Sequence, residues 1–166
     1  MPNIRRIAPC LWFDRQGEEA AKYYVGIFNN SRITAVSHFG RAGFEAHRMP
    51  AGTVMTVAFE LDGQPFTALN GGPQFKFTEA VSLQVMCETQ AEVDYYWEKL
   101  AAGGDPKARQ CGWVKDKFGL SWQIVPTILP ELIQDPHTEK TERVITAIME
   151  MKKLDIAALK RAHEGK

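Results

Sequence analysis

Residues 110–126 read QCGWVKDKFGLSWQIVP, and the clearest signals for the fold lie in these residues. Two apolar pieces within it, residues 110–115 and 120–125, have the composition of short β-strands. Between them, Asp116-Lys117-Phe118-Gly119 is a turn signal. The stretch therefore predicts two consecutive strands that are joined by a short turn.

The residues before this stretch extend it to a larger module. Residues 81–87 are predicted to form a strand, and residues 91–100 a helix. Gly103-Gly104-Asp105-Pro106 then breaks the chain before the two strands begin. The second half of the chain thus starts with a strand and a helix and continues with strands.

The first half of the chain shows the same order of predicted elements. Its helix is predicted at residues 18–28, a loop at residues 40–52, and a tight turn at Asp62-Gly63. Its strands are predicted at residues 7–13, 33–39, 53–61 and 66–69. The first half therefore reads β-α-β-β-β.

The two halves are interpreted as copies of one module. Their helices share a tyrosine pair, Tyr23-Tyr24 in the first and Tyr95-Tyr96 in the second. A repeat of about 70 residues is too long for a solenoid, and each half-sheet has an open edge that the other copy can pair. We predict an α+β protein with two tandem βαβββ modules, residues 1–75 and 76–127, that form one structural unit.

Residues 128–166 are predicted to form a C-terminal helical tail. Val144, Ile148 and Met151 belong to an amphipathic stripe at helical spacing. Asp155 is placed to cap a last short helix. Such a stripe is typical of core or dimer packing rather than of a cofactor site, so we expect the tail to serve in packing.

Composition and charge argue against several classes of function. The chain has 20 basic and 20 acidic side chains and a formal net charge of zero, so it has no overall field that attracts nucleic acid or an anionic membrane. No apolar run reaches the roughly 18 residues that a membrane-spanning helix needs. We expect a cytoplasmic protein without a signal peptide and without nucleic-acid or membrane partners.

The three cysteines, Cys10, Cys87 and Cys111, are widely spaced and include no CxxC pair. Neither a disulfide framework nor a zinc knuckle is therefore indicated. We expect buried free thiols, with a reactive cysteine as the alternative.

The stretch from Cys111 to Pro126 resembles the PhnB-like branch of the vicinal oxygen chelate superfamily, to which glyoxalase and bleomycin-resistance proteins belong. Further segments that carry the resemblance are Gln64-Pro65-Phe66-Thr67-Ala68-Leu69-Asn70-Gly71-Gly72-Pro73, Val93-Asp94-Tyr95-Tyr96-Trp97 and Met151-Lys152-Lys153-Leu154-Asp155-Ile156. The resemblance covers nearly the whole chain except the loop at residues 41–52. It implies the glyoxalase/bleomycin resistance/dihydroxybiphenyl dioxygenase fold, in which a curled mixed sheet encloses a cleft, usually within a homodimer.

Members of this branch often carry the label demethylubiquinone methyltransferase, so methyl transfer must be considered. A methyltransferase that uses S-adenosylmethionine ordinarily has a Gly-rich turn between its first strand and its first helix. Here that turn is Asp14-Arg15-Gln16-Gly17-Glu18, with one glycine and two carboxylates. Methyl transfer is therefore disfavoured.

The resemblance also implies positions for a metal site, because metal-using members take two ligands from each module, one on its first strand and one on its last. In the second module these positions correspond to Gln123 and to Ser82 or Gln84, and in the first module the last-strand position corresponds to Asn70. All four side chains are neutral and are weak ligands for a hard divalent ion. We predict a degenerate metal site and no cofactor, with a bound divalent metal as the alternative.

The histidines do not supply the missing ligands. All four, His38, His47, His137 and His163, lie outside the expected ligand strands. His38 is either an acid or base that projects into the cleft or a half-exposed strand residue. His47 is either part of a cover over the cleft mouth that meets an anionic substrate or a solvated loop residue.

Seven residues are predicted to line the cleft: Trp12, His38, Asn70, Ser82, Gln84, Trp122 and Gln123. Polar but uncharged side chains between aromatic walls suit a ligand that is held by hydrogen bonds and stacking. The alternative for the tryptophans is core packing. We predict a homodimeric small-molecule-binding protein; the alternative is a lyase, isomerase or transferase of the superfamily that acts on an oxygen-bearing small substrate.

Overall fold

The computed structural model describes residues 5–136 and 138–166, so Met1–Ile4 and His137 lie outside the described residues. The chain divides into two compact units between Lys76 and Phe77. No helix within the described ranges is long and apolar enough to cross a membrane.

The first unit has the predicted order of strands around one helix, with an additional short helix inside the loop at residues 41–52. Its elements are β1 (Cys10–Phe13), α1 (Gly17–Val25), β2 (Arg32–His38), α2 (Phe44–His47), β3 (Val54–Leu61) and β4 (Gln64–Asn70). They form a four-stranded sheet in the order β1-β4-β3-β2. β1 pairs with β4 in parallel, and the other pairs are antiparallel.

Alternating side chains give the first sheet a covered face and an open face. Phe59 of β3 and Phe66 of β4 lie opposite each other, and their rings stack at 5.4 Å on the covered face. Tyr24 of α1 is fully buried and stacks on Phe59 at 6.4 Å. The helix therefore covers this face, and the side chains between the buried positions belong to the open face.

The second unit has a smaller sheet. Its first elements are β5 (Ser82–Cys87), α3 (Gln90–Ala101), β6 (Trp113–Lys115) and β7 (Ser121–Pro126), and the strand order is β5-β7-β6. β5 runs parallel to β7, and β6 runs antiparallel to it. Thr89 begins α3 with a capping box to Glu92, which explains why the predicted helix forms here.

One strand of the predicted second βαβββ module is not formed within the described residues 77–126, so this module reads βαββ. Gly103 has a φ of +71°, and Pro106 starts a short 3-10 turn, so the chain turns repeatedly after α3. A Cβ at Gly104 would lie 1.8 Å from the Lys115 carbonyl oxygen, which shows how closely this turn packs on β6. β6 consequently begins at Trp113, and Gln110 makes only an isolated bridge.

The C-terminal residues of the second unit form α4 (Leu129–Leu132), α5 (Glu139–Glu150) and α6 (Ile156–Glu164). Asp155 Oδ1 accepts a hydrogen bond of 2.8 Å from Ala158 N, which confirms the predicted cap. The core of these helices consists of Leu132, Val144, Leu154 and Leu159. The mixed α+β architecture with a helical C-terminal end is therefore confirmed.

Candidate functional site

A row of neutral polar side chains lies on one face of the second sheet. Gln84 of β5 is directly opposite Gln123 of β7, and Ser82 lies two residues before Gln84 on the same face. Gln123 Nε2 donates to Ser82 Oγ at 2.7 Å, and Gln84 Nε2 donates to Gln123 Oε1 at 3.4 Å. The structure thus brings together three of the predicted residues, Ser82, Gln84 and Gln123, which we call the amide row.

A cavity of about 370 Å³ lies beside β6 in the same unit. Its lining residues are Glu79, Ala108, Gln110, Cys111, Trp113, Val114 and Ser121. Trp113 is the cross-strand neighbour of Gln123, and Ser121 is the cross-strand neighbour of Ser82. This cavity, which we call the Trp113 cavity, therefore adjoins the amide row through Trp113 of β6 and Ser121 of β7.

Glu79, the only lining residue of this cavity with a carboxylate, forms an ion pair with Lys115 of β6. Lys115 Nζ donates to Glu79 Oε1. This hydrogen bond, reinforced by the charge of the lysine, lowers the pKa of Glu79 from its ordinary value of 4.5. At neutral pH the two charges offset each other, so the wall of the cavity carries no net charge from this pair.

Trp122 does not share the face of the amide row. It neighbours Gln123 on β7, and successive strand residues point to opposite faces. Its side chain is 2% exposed, and its Nε1 donates to Asp116 Oδ2 at 2.8 Å. The structure thus corrects the predicted cleft-lining position: Trp122 is a core residue that fixes the turn before β7.

Asn70, which the sequence predicted in the cleft, is one of the residues that line a second cavity of about 250 Å³ in the first unit. It is 6% exposed, and its Oδ1 accepts a hydrogen bond of 2.7 Å from the backbone N of Gly17, the first residue of α1. Its Nδ2 donates to Val54 O at 3.0 Å. A Cβ at Gly17 would lie 2.7 Å from Asn70 Oδ1. Asn70 therefore joins helix to sheet and is engaged in holding the module together.

Trp12 lies on the open face of the first sheet, opposite Leu69. Its Nε1 donates to Gly72 O at 2.8 Å, and its ring meets Phe75 edge to face at 4.9 Å. A Cβ at Gly71 would lie 2.3 Å from the ring, so only glycine fits there. Trp12 is therefore a rigidly placed aromatic surface, half-buried in its unit.

The two histidines of the first unit have different surroundings. His38 is exposed at the end of the outer strand β2. The His47 ring packs on Phe39 at 4.5 Å, and its Nδ1 accepts from Met49 N at 3.0 Å. His47 is therefore engaged within its own loop. His137 lies outside the described residues, and His163 lies on α6.

One backbone hydrogen bond occurs at the same place in both modules and shows which residues of the two modules correspond. Gly71 N donates to Phe13 O where β4 leaves the first sheet, and Thr127 N donates to Cys87 O where β7 leaves the second. Phe13 thus corresponds to Cys87, and Gly71 corresponds to Thr127. Cys10 and Thr67, which pair with each other, therefore correspond to Gln84 and Gln123, which also pair with each other. Sequence reasoning missed Cys10 and Thr67, because it aligned the modules on Asn70 instead of on strand parity.

Trp113 and Glu79 were also missed as site residues. Trp113 could have been identified from the predicted pair of strands joined by a short turn, because such strands are antiparallel and Trp113 then lies opposite Gln123. No sequence signal pointed to Glu79, because its partner Lys115 is 36 residues away.

The residues at these positions do not fit a divalent metal ion. No cluster of three or more His, Cys, Asp or Glu side chains able to hold a metal occurs in residues 5–136 and 138–166. The amide row offers neutral oxygens and no charge to compensate a divalent cation. We therefore derive no chemical step through a metal.

Several solved structures are similar to this chain. A PhnB protein from Bacillus cereus is 34% identical, the alignment covers 74% of this chain and 100% of that chain, and the TM-score is 0.62. A Pseudomonas aeruginosa protein is 20% identical over 74% and 98% of the two chains, with a TM-score of 0.56. A fosfomycin resistance protein from Listeria monocytogenes, solved with Mn(II) and sulfate, is 14% identical over 82% and 99%, with a TM-score of 0.51. The last two show the fold alone.

No curated protein matches the chain. A model of the family described as 3-demethylubiquinone-9 3-methyltransferase matches residues 5–125, which is most of the chain. The identity to the Bacillus cereus PhnB protein agrees with this match. The chain therefore belongs to this PhnB-like family, which has the fold of the vicinal oxygen chelate superfamily.

Proposed function

We propose that this protein binds an uncharged small molecule that occupies the Trp113 cavity and reaches the adjoining amide row, which supplies hydrogen bonds to it. The observation that carries this proposal is the hydrogen-bonded set of Gln123, Ser82 and Gln84 on an open sheet face. These side chains are neutral at the positions that the superfamily resemblance assigns to metal ligands. Neutral side chains at these positions favour binding through hydrogen bonds over charge-driven chemistry.

The side chains suit a planar polar ligand. Gln84 is exposed, so its carboxamide has a free side that can donate and accept. Ser82 Oγ accepts from Gln123, which leaves the Ser82 hydroxyl proton to donate to a ligand. Trp113 adds an aromatic surface for stacking. The cavity volume of about 370 Å³ falls within the range of roughly 300–1,000 Å³ that is usual for small-molecule sites.

An enzyme of the superfamily, a lyase, isomerase or transferase that acts on an oxygen-bearing substrate, is the alternative. It would use the same residues, so turnover that Gln123→Ala abolishes without unfolding the protein would favour it. Methyl transfer is less well supported. The first amide of α1, Gly17 N, already donates to Asn70 Oδ1 at 2.7 Å and is not free for a cofactor carboxylate or phosphate.

The proposal is tested by calorimetric titration of chelator-treated protein with uncharged aromatic amides and phenols, beginning with 4-hydroxybenzamide. Because one hydrogen bond contributes about 1 kcal/mol, Gln123→Ala should weaken a bound compound about fivefold. Gln134→Ala, an exposed glutamine outside the site, is the matched control. Saturable binding that Gln123→Ala leaves unchanged would contradict the site, and stoichiometric metal in protein purified without chelator would favour the alternative.

We further propose that the protein is a cytoplasmic homodimer. Large apolar side chains on the surface of the second unit, including Val81 at 68% and Met149 at 63% exposed, are suited to contact with a second copy. All three cysteines are free thiols, as suits a reducing compartment. A monomer by light scattering at micromolar concentration would refute the dimer.

A further inference from the structure

The C-terminal helices lie beyond the residues that the family model matches, although the resemblance noted in the sequence extends to residues 151–156. The match ends at residue 125, whereas α4 begins at Leu129. Residues 149–156, which run from the end of α5 into α6 and are called the strap here, are the part of this extension that contacts the wall of the Trp113 cavity. Gln110 Nε2, from a lining residue, donates to Met149 O at 2.8 Å.

The strap also holds the backbone of the wall. Cys111 N donates to Met151 O at 2.8 Å, and Gly112 N donates to Lys152 O at 2.7 Å. Cys111 and Gly112 have φ angles of +52° and +84°, a left-handed conformation that is unfavourable for cysteine. In this conformation, two consecutive amides donate to carbonyl oxygens of the strap. The strap therefore compensates for the conformation that the lining residue Cys111 adopts.

Packing reinforces these hydrogen bonds. Leu154 of the strap is 2% exposed and lies against Gly112, where an added Cβ would be 3.1 Å from Leu154 Cδ1 and 3.0 Å from Ile124 O. The wall therefore has no room for a side chain at residue 112. Strap and wall fit each other closely.

Gln90, the first residue of α3, fixes the other end of the strap. Its Nε2 donates to Leu154 O at 3.2 Å and to Asp94 Oδ1 at 3.0 Å, and its Oε1 accepts from Ile156 N at 2.9 Å. Asp94 also forms an ion pair of 2.5 Å with Lys153. The single carboxamide of Gln90 thus donates to a carbonyl of the strap and accepts from an N–H of the strap, whereas an ionised carboxylate would only accept.

We propose that the strap positions the wall of the Trp113 cavity and that Gln90 is the positioning residue that locks it. The inference deepens the proposed function, because it makes the C-terminal extension part of the ligand site. It assigns to residues outside the family match the task of keeping Gln110 and Cys111 in place.

Hydrogen exchange tests this inference without any ligand. In Gln90→Ala, loss of the clamp should speed exchange of the Cys111 and Gly112 amides about tenfold. Exchange of the buried α3 amides of Val93 and Leu100 should stay unchanged. A merely structural role would speed exchange throughout the unit, so a uniform increase would overturn the proposal, as would unchanged exchange at Cys111 and Gly112.

Two further variants keep the test decisive. Gln90→Met keeps the length of the side chain but loses all three hydrogen bonds, so it should speed exchange of the Cys111 and Gly112 amides about as much as Gln90→Ala, and it replaces Gln90→Ala if that variant does not fold. Gln134→Ala, an exposed glutamine that is not part of the strap, should match the wild type. Acceleration in Gln134→Ala equal to that in Gln90→Ala would refute a specific clamp.

Thiol labelling provides a second readout in a Cys10→Ser background, where Cys111 is the remaining thiol that is not buried. Gln90→Ala should raise its labelling rate about tenfold, because the wall opens more often. If 4-hydroxybenzamide and the related compounds do not bind the wild type, the proposed function fails, whereas exchange and labelling still decide whether the strap positions the wall.

Discussion

The two sheets share one pattern of strand pairing but turn their amide side chains in opposite directions. In the first sheet, Asn70 points toward α1 and binds Gly17 N and Val54 O. In the second, Gln84 and Gln123 point to the open face and bind each other. These amides stand at non-equivalent positions of the two modules, so two modules with the same strand pairing can use an amide for stability in one and leave amides available to a ligand in the other.

The largest expected difference is between the stability losses caused by replacing Asn70 and by replacing Gln123. Asn70→Ala removes the partner of the buried Gly17 N and of the partly buried Val54 O, so we expect a loss of about 2–4 kcal/mol in the free energy of unfolding. Gln123→Ala on the open face should cost less than about 1 kcal/mol, because water replaces its bonds. Urea denaturation measures both values. Equal losses would remove the distinction between the sheets.

The two tryptophans of the second sheet lie on opposite faces and should differ in what their replacement costs. Trp122→Phe removes the donor to Asp116 Oδ2, and we expect a loss of about 1–3 kcal/mol because a buried carboxylate loses one partner. Trp113→Phe, its control on the other face, should change unfolding by less than about 1 kcal/mol and should weaken ligand binding. A larger stability loss for Trp113→Phe would show that the two faces have been assigned the wrong way round.

The thiols on the two first strands should differ in reactivity. Cys10 is exposed, whereas Cys87 is fully buried and burial raises its pKa to about 11. An aromatic disulfide reagent at neutral pH should therefore modify Cys10 at least about a hundredfold faster than Cys87. Cys10→Ser assigns the fast phase. A Cys87 that reacts rapidly in folded protein would contradict its place in the core.

The smallest effect concerns the ion pair at the cavity. Lys115 lowers the pKa of Glu79 in the folded state below the ordinary value of 4.5. Its contribution to stability is therefore present above pH 4.5 and is lost as the pH falls through the lower folded pKa. In Glu79→Gln, unfolding measured between pH 6 and about pH 3 should depend slightly less on pH. Identical pH profiles would show that the pair contributes nothing.

Much of the fold was predictable because its signals are local. Strand alternation, the turn at Asp116–Gly119 and the cap at Asp155 each depend on neighbouring residues, and the structure has all three. The missing strand was not predictable, because the turns at residues 102–112 depend on close packing of Gly104 against Lys115.

The site was predicted only in part for a similar reason. Ser82, Gln84 and Gln123 were found together because parallel strands align them in register. Trp122 was misplaced because both faces of the second sheet contain apolar residues, so parity alone does not identify the open face. Its partner Asp116 is visible only in three dimensions, as is the hydrogen bond from Gly17 N to Asn70.

The amide row is proposed to bind an uncharged ligand without a metal. The most direct measurement records NMR signals of the Gln84 and Gln123 side-chain amides while chelator-treated protein is titrated first with Mg²⁺ and then with the uncharged aromatic amides and phenols. We expect no shift with the metal and a saturable shift of both amides with at least one compound. Saturable shifts with Mg²⁺, and none with the compounds, would contradict the claim.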